Sequence, residues 1–352
     1  MTKVAYDVDD LLMKVGFTKQ DIAKVKKGFV VNSVNIETLS DRDLATMIAF
    51  EFEIKNKNTE EGVNVNDDID AFERVFLESP HKIESDSTIQ QMVVDINRDG
   101  NLDFSSVKLL PKESTGDMVK SYMKFQGGSE LNLSLKEIDM FQAIDNTHPD
   151  LKGQVEMVLG KVLQGRLEEY QHLGLEGISP YLRKGDKCFY PGKELQEKTE
   201  KSEILHQPHV KEFSDYILNW PSSSSTSNGG NDNNSDNNSH AKETYGWINY
   251  NIDDKPSIAL YHRIIWSDET NTIKFLLSRT FYVSKGHNSV QQIGFAVPTG
   301  DTSILLAFSS RTSTDAVTGF GGSAKRVIGS RIMSGRIAEN FEALRKLSAS
   351  KK

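Results

Sequence analysis

Cysteine is almost absent from this chain of 352 residues, which contains only Cys188. A single cysteine excludes an internal disulfide framework and any metal site built from several cysteines. Long apolar runs are absent too, because no stretch reaches the roughly 18 apolar residues that a membrane-spanning helix requires. The sequence therefore predicts a soluble protein with no transmembrane segment.

The common catalytic and cofactor signatures are also missing. We find no G-x-S-x-G, H-E-x-x-H or G-x-G-x-x-G, and no G-x-x-x-x-G-K-[ST] phosphate loop. His206 and His209 do not have a usual zinc spacing, and no third ligand lies near them in the sequence. The sequence predicts no metal site and no cofactor, and it leaves open whether the protein is an enzyme.

The first residues, MTKVAYDVDDLLMKVGFTKQ, lack the basic start and apolar core of a signal peptide. They predict a cytoplasmic location, or a secreted or periplasmic one if a leader has been removed.

Charge is distributed unevenly along the chain. The net charge of -8 argues against nucleic acid as the main partner. The last thirty residues, 323–352, carry eight basic and two acidic side chains, which leaves -14 for the rest. This basic segment predicts either a solvated helix face or peripheral contact with anionic surfaces.

The most regular pattern runs from Ser257 to Leu347. Four strand-like runs are separated by short polar turns: SIALYHRIIW, TIKFLLSRTFYVSK, SVQQIGFAVP and TSILLAFSSRTST. Short turns between such runs are typical of an antiparallel meander. One long helix, from Ser323 to about Leu347, follows them. We expect this helix to lie across one face of the sheet.

Composition and periodicity divide the whole chain into five parts and predict an α+β fold. The parts are N-terminal helices (1–27), the first part of the α+β domain (28–112), a helical insertion (130–220), a disordered Ser/Asn-rich linker (221–243), and the C-terminal sheet with its helix (244–347).

One loop resembles a calcium site. The run from Asp95 to Ser106 begins like an EF-hand loop, but Ser106 occupies the twelfth position, where that loop needs an acidic ligand. Two strands, MVVDI and LDFSSVKLL, joined by a turn explain the same residues without a missing ligand. We favour the two strands, and calcium binding remains open.

Strand alternation singles out Arg279, because it shares a face with five large apolar residues. A buried charge needs a partner. Arg279 is therefore a candidate for holding an anionic group, or one half of a structural ion pair. His262 and Tyr282, in the neighbouring strand and the same strand, are further candidates as ligand contacts or as acid and base.

The junction between the last strand and the last helix is the second candidate. Glycines there allow close backbone approach, and helix N-termini favour anions. Two cations in a first helical turn do not suit helix stability alone. The alternative is a glycine-rich turn that lets the helix pack. The candidate residues are Arg311, Asp315, Gly319, Gly321, Lys325 and Arg326.

The order of elements resembles the helix-grip fold of START-like and polyketide-cyclase-like domains, in which an antiparallel sheet curls around a long C-terminal helix. The resemblance covers about residues 28–110 and 244–347. The runs TSTDAVTGFGGSAKRVIG and LLSRTFYVSKGHNSVQ also resemble stretches in a group of bacterial proteins of unassigned function, which implies no activity.

The helix-grip resemblance implies a non-enzymatic protein that encloses a lipid-like or amphipathic small molecule beneath the C-terminal helix. Small residues of that helix, Gly329, Ser330, Ser334 and Gly335, would leave room for it or would permit close packing. The alternatives are an enzyme that uses the same cavity, with His262, Tyr282 or Asp315 as acid or base, and a structural or interaction protein with a filled core.

Overall fold

The computed structural model describes residues 7–34, 40–53, 89–97, 101–109, 115–128, 131–207, 210–221, 240–252, 255–267, 273–299, 303–319 and 321–350. The turn at 98–100 and the Ser/Asn-rich segment 222–239 lie outside these ranges.

An antiparallel sheet of eight strands organises the described part of the chain, in the order β1-β2-β10-β9-β8-β7-β6-β3. Its strands are β1 (Val31–Val34), β2 (Asp43–Glu53), β3 (Ile89–Asn97), β6 (Ala241–Ile252), β7 (Lys255–Ser267), β8 (Lys274–Val283), β9 (Ser289–Pro298) and β10 (Ser303–Ser313). β4 (Tyr181–Leu182) and β5 (Cys188–Phe189) form a separate hairpin. Among the described strands β1 and β3 lie at the two edges, so the sheet that these strands form is open and is not a barrel.

Eight α-helices accompany the strands within the described ranges. They are α1 (Val8–Lys14), α2 (Lys19–Val25), α3 (Gly116–Lys124), α4 (Leu135–Gln142), α5 (Leu151–Leu173), α6 (Pro191–Glu200), α7 (Lys211–Leu218) and α8 (Gly322–Ser350). The predicted α+β class and the four consecutive C-terminal strands followed by a helix are confirmed. None of the described helices is long and apolar enough to cross a membrane.

Local sequence signals fix several helix starts. Thr18 and Ser134 each form a capping box, with Asp21 and Glu137 respectively, which satisfies backbone N–H groups that the first helical turn leaves unpaired. α5 ends at Gly174, whose φ of 60° is a conformation that glycine adopts without strain.

All helices of the predicted insertion that contact the sheet lie on one face, which we call the helical-layer face. Two apolar clusters fill this interface. The first cluster joins α3, α4 and α5 to β6, β7 and β8. The second cluster joins α1, α2 and α7 to β2, β8, β9 and β10. The helices at 135–218 thus share their core with the C-terminal strands.

The segment 101–109 differs from the strand that we favoured there. Its backbone is irregular, with a turn at Ser105 and Ser106. Leu102, Phe104 and Leu109 are buried in the first cluster. Because the chain packs against α5 at this point, tertiary contact rather than strand pairing determines its course. Within the described ranges, no group of three His, Cys, Asp or Glu residues could hold a metal ion.

The opposite face of the sheet carries α8, so we call it the α8 face. α8 contacts mainly β1 and β2. Ile48 and Phe50 of β2 point to this face, and Ile337 of α8 packs against their cluster. The neighbouring residues Met47 and Ala49 point to the helical layer, as strand alternation requires.

Candidate functional site

A line of polar side chains crosses the centre of the helical-layer face. Its members occupy directly paired positions on five adjacent strands, and we call it the polar row. They are Arg311 of β10, Gln291 of β9, Arg279 of β8, His262 of β7 and Tyr245 of β6. The row runs between the two apolar clusters, and every member is buried. Since buried polar groups require partners, the row determines which helices fit over it.

Arg279 is the centre of the row and has no solvent exposure (0%). Its Nε donates to Oε1 of Gln291 at 3.1 Å, and its Nη1 donates to the hydroxyl of Tyr170 in α5 at 3.3 Å. Its Nη2 donates to Oγ1 of Thr199 in α6 at 3.3 Å. The guanidinium is therefore held by neutral acceptors from two helices and one strand. No carboxylate of the described residues forms an ion pair with it, so the expected ion pair is absent there.

Tyr170 continues this chain of hydrogen bonds to His262. The Tyr170 hydroxyl lies 3.0 Å from Nδ1 of His262, and Nε2 of the same ring lies 3.0 Å from Oε2 of Glu243. Arg279 can only donate, so the Tyr170 oxygen accepts from Arg279 and its proton points to Nδ1. His262 then carries its proton on Nε2 and donates it to Glu243. Burial lowers the pKa of His262, which favours this neutral ring.

Glu243 forms the solvent end of the chain, with 20% of its side chain exposed. Besides His262, it accepts from Nε1 of Trp220 and from the hydroxyls of Tyr216 and Tyr245. Burial raises the pKa of Glu243, but the hydrogen bonds and the neighbouring imidazole outweigh it and lower the pKa to about 2. The carboxylate is therefore ionised and fully paired.

Aromatic rings close the space around the hydrogen-bonded chain of Glu243, His262 and Tyr170, which we call the relay. Tyr170 stacks on Phe281 with ring centroids 4.0 Å apart, and the centroid of the tilted Trp220 ring lies 4.7 Å from that of Tyr170. The His262 ring lies between Tyr245 at 4.4 Å and Trp220 at 4.6 Å. Such contacts fix each ring and exclude water. The relay resembles an acid–base arrangement in connectivity, but its inner groups have no exposed surface.

A second line of paired polar residues crosses β2, β10 and β9, two residues along β9 and β10 from the polar row. Asp43, Ser313 and Ser289 are paired across β2, β10 and β9. Lys198 of α6 reaches them, with Nζ 3.4 Å from Oδ1 of Asp43 and 3.2 Å from Oγ of Ser289. Burial lowers the pKa of Lys198, and the Asp43 carboxylate counteracts this. The pair fastens α6 to the sheet beside the polar row.

The other predicted site residues do not all reach the polar row. Tyr282 is buried in the first cluster, with the Arg166 guanidinium 4.3 Å above its ring. A register shift between β7 and β8 explains its orientation, because Leu260 pairs with Tyr282 while Tyr261 pairs with Thr280. This bulge breaks the strand alternation, so Phe281 and Tyr282 both enter the first cluster.

Asp315 lies in a short 3-10 helix (Asp315–Val317) between β10 and α8. Its carboxylate accepts from Nε of Arg183 at 2.9 Å and lies 3.4 Å from Nε of Arg42. Arg183 also donates to the side chains of Asn132 and Asn288. Asp315 therefore joins the helical layer to the turn before α8, which is a structural role.

The glycine-rich turn leads into α8, which lies on the face of the sheet opposite the polar row. Gly319 and Gly321 have φ values of 78° and 75°, in the left-handed region that glycine favours. Lys325 is exposed and Arg326 is half-buried at the start of α8. The structure thus brings together His262, Arg279 and Arg311, and it separates them from Gly319, Gly321, Lys325 and Arg326.

Sequence reasoning missed several residues that bond to Arg279 or His262. Gln291 shares a face with Ile293 and Phe295 in β9. The strand alternation that singled out Arg279 in the sequence also identifies Gln291. Glu243, a partner of His262, fell within the predicted linker 221–243, whereas the strand begins at Ala241. Thr199 carries no local signal, since only the packing of α6 brings it near.

Two open clefts occur elsewhere in the described residues. One, of about 520 Å³, lies between the segment 101–109 and α5. The other, of about 560 Å³, lies between the end of α3 and the β4–β5 hairpin. Neither is lined by a residue of α8 or of the polar row.

Comparison with known proteins adds no relative. The chain matches no protein-family model, no curated protein and no solved structure. Function is therefore inferred from the geometry of the described residues alone.

Proposed function

We propose that this protein is a non-enzymatic interaction protein with a filled core. The observation that carries the proposal is the close packing of α8 on β2. An added Cβ at Gly329 would lie 2.9 Å from Cδ2 of Leu44. Ser330 and Ser334 are buried against the same strand. A ligand of lipid size needs a cavity of several hundred Å³, and such contact leaves no such space at this point.

The buried polar row supports the same proposal. Each nitrogen of Arg279 donates to a side-chain acceptor of the protein, so three of the five guanidinium N–H groups are held by the protein itself. Hydrogen bonds within a buried network rigidify a core and fix the arrangement of the elements that they join. The row then acts as a structural clamp that aligns α5 and α6 on the sheet.

A ligand-binding protein of the helix-grip type is the role that the resemblance predicts, and it remains a prediction. It would require the strands to enclose space beneath α8. Arg279, the residue expected to hold an acidic head group, points to the opposite face of the sheet from α8. This placement favours the filled core over a ligand held jointly by Arg279 and α8.

An acid–base enzyme is the second alternative, favoured by the hydrogen-bonded order Glu243, His262 and Tyr170. A general base must reach the proton of a substrate at hydrogen-bond distance. His262 and Tyr170 have no exposed surface (0% each), and aromatic rings pack against both. The relay therefore fits a structural role better than a catalytic one.

Native mass spectrometry of the purified protein, combined with Arg279→Ala, tests the proposal. We expect a mass without a bound small molecule, and a marked loss of unfolding free energy in the variant, because three acceptors lose their donor. Arg331→Ala, at an exposed arginine of α8, is the matched control and should change stability by less than about 0.5 kcal/mol. A co-purified ligand that a folded Arg279→Ala variant fails to retain would overturn the proposal in favour of ligand binding.

A further inference from the structure

α8 presents three large apolar side chains to solvent, although Ile337 of the same helix packs on the sheet. Val327 is 37% exposed, Ile328 58% and Ile332 54%. The side facing β2 instead carries Gly329, Ser330 and Ser334. A surface helix of a globular protein normally shows the reverse arrangement. We call the outward residues Lys325, Val327, Ile328, Arg331 and Ile332 the exposed stripe.

Contacts on the sheet side hold the helix in this orientation. Oγ of Ser330 accepts from the backbone N–H of Ala45 at 3.3 Å. The Thr46 hydroxyl donates to Oγ of Ser334 at 3.0 Å. A rotation of α8 that buried Ile328 would break both hydrogen bonds and replace Gly329 by a branched side chain beside Leu44. The exposed stripe is therefore a fixed feature of the fold.

Charge around the stripe narrows the choice of partner. Lys325 and Arg331 are exposed beside the apolar side chains. The segment 323–352 carries a net charge of +6, whereas the rest of the chain carries -14. Near an anionic surface the helix is attracted and the body is repelled, so the molecule orients with the stripe toward that surface.

We propose that the exposed stripe docks α8 peripherally on an anionic lipid bilayer. Three apolar side chains cannot supply the roughly 800 Å² per partner of a stable protein interface. A helix that lies in the membrane interface needs less buried area. A few apolar side chains insert shallowly, and basic residues on the same helix are attracted to anionic head groups. The proposal rests on the interaction role proposed above and names its partner.

Co-sedimentation with vesicles tests this docking on the full chain. We expect binding to vesicles of phosphatidylcholine with phosphatidylserine, weaker binding at high salt, and little binding to phosphatidylcholine alone. Each basic residue near an anionic surface contributes about a fivefold gain in partitioning. The double substitution K325E/R331E should therefore weaken binding by more than about 25-fold, and I328S/I332S should also weaken it.

Matched controls lie on other exposed surfaces. K120E/K124E makes the same charge change on α3, and M157S/L173S makes a similar polarity change on α5; both should bind vesicles like the parent protein. Unfolding midpoints of all variants establish that they fold.

Three results would overturn the proposal: no binding by the parent protein, equal loss in the control variants, or a dimer that I328S/I332S converts to monomer without any lipid binding. The last result would assign the stripe to a second copy of the chain. Failure of the filled-core proposal is distinguishable, because a retained ligand is detected by native mass spectrometry without vesicles.

Discussion

The two long helices, α5 and α8, lie on opposite faces of one sheet and differ in the size of the side chains that they bury. α5 buries large side chains, among them Leu159, Leu163, Leu167 and Tyr170. α8 buries only Ser330 and Ser334 among its described side chains. Large buried side chains stabilise through apolar area, whereas small ones allow the backbones to approach. The first arrangement makes α5 part of the core, and the second makes α8 a surface element.

Charge burial differs between the helices in the same way. α5 contributes Arg166, whose Nη2 lies 2.6 Å from Oε2 of Glu137 with both side chains nearly inaccessible. Burial lowers the pKa of Arg166, but the Glu137 carboxylate together with Tyr282 and Tyr181 outweighs this effect and raises the pKa. The exposed Lys325 and Arg331 of α8 have no such partner among the described residues. Substitutions should therefore cost much more around α5 than on α8.

The largest effect is expected from Glu137→Ala. It leaves Arg166 buried without a counter-charge, and such a change costs about 3–5 kcal/mol of unfolding free energy. Urea denaturation measures the loss. Ser134→Ala removes only the capping hydrogen bond of α4 and should cost about 1 kcal/mol. An equal loss in the two variants would mean that the ion pair contributes nothing beyond the cap.

Replacing both members of the pair provides a further control. The double variant Glu137→Leu with Arg166→Met leaves no buried charge, so it should recover much of the stability that Glu137→Ala loses.

The second effect is a loss of stability in acid. Because the folded protein lowers the pKa of His262, the unfolded chain binds more protons as the pH falls below about 6.5, and stability decreases there. One such group contributes at most about 1.4 kcal/mol per pH unit. Glu243, with its pKa lowered to about 2, adds a further loss below about 4.5, the value near which an unperturbed glutamate titrates.

Urea denaturation between pH 7.5 and pH 5 measures the His262 contribution. His262→Gln should flatten this part of the curve, whereas His172→Gln, at an exposed position of α5, should leave it unchanged. A curve of unaltered slope in His262→Gln would contradict a neutral buried imidazole.

The smallest expected effect is the difference in stability change between Gly→Ala substitutions at two positions of α8. An added Cβ at Gly335 has no heavy atom within 4 Å, so Gly335→Ala should stabilise the protein by about 0.5–1 kcal/mol through helix propensity. The same change at Gly329 meets Leu44 at 2.9 Å, and this contact should cancel the gain. Thermal unfolding measures both variants. Equal stabilisation would show that α8 is not pressed against β2.

Regular periodicity made much of the fold predictable. The strands β7 to β10, their antiparallel order and the C-terminal helix all follow from alternation and short turns in the sequence. Capping at Thr18 and Ser134 is likewise local, because each side chain bonds a backbone N–H three residues further along the chain. The run LDFSSVKLL was predicted as a strand, but its described residues, 102–109, are irregular, because their apolar side chains pack into the first cluster instead of pairing.

The candidate site was less predictable than the fold. Arg279 was recognisable as a charge on an apolar strand face, and the structure shows it buried. Its partners Tyr170 and Thr199 come from helices distant in sequence, and Tyr282 enters the first cluster only through a bulge between β7 and β8. Long-range packing and bulges produce no periodic pattern in the sequence, so the sequence alone could not predict which residues surround Arg279 and Tyr282.

The sequence by itself determined the α+β class, the meander and the asymmetry of charge, because each depends on residue type and spacing within a short stretch. Only the tertiary structure decided on which face each element lies. It placed α8 on β1 and β2 and the polar row beneath α5 and α6, on opposite faces of the sheet. The physical reason is that the choice between two faces depends on the fit of whole surfaces, such as Gly329 against Leu44, and not on any local pattern.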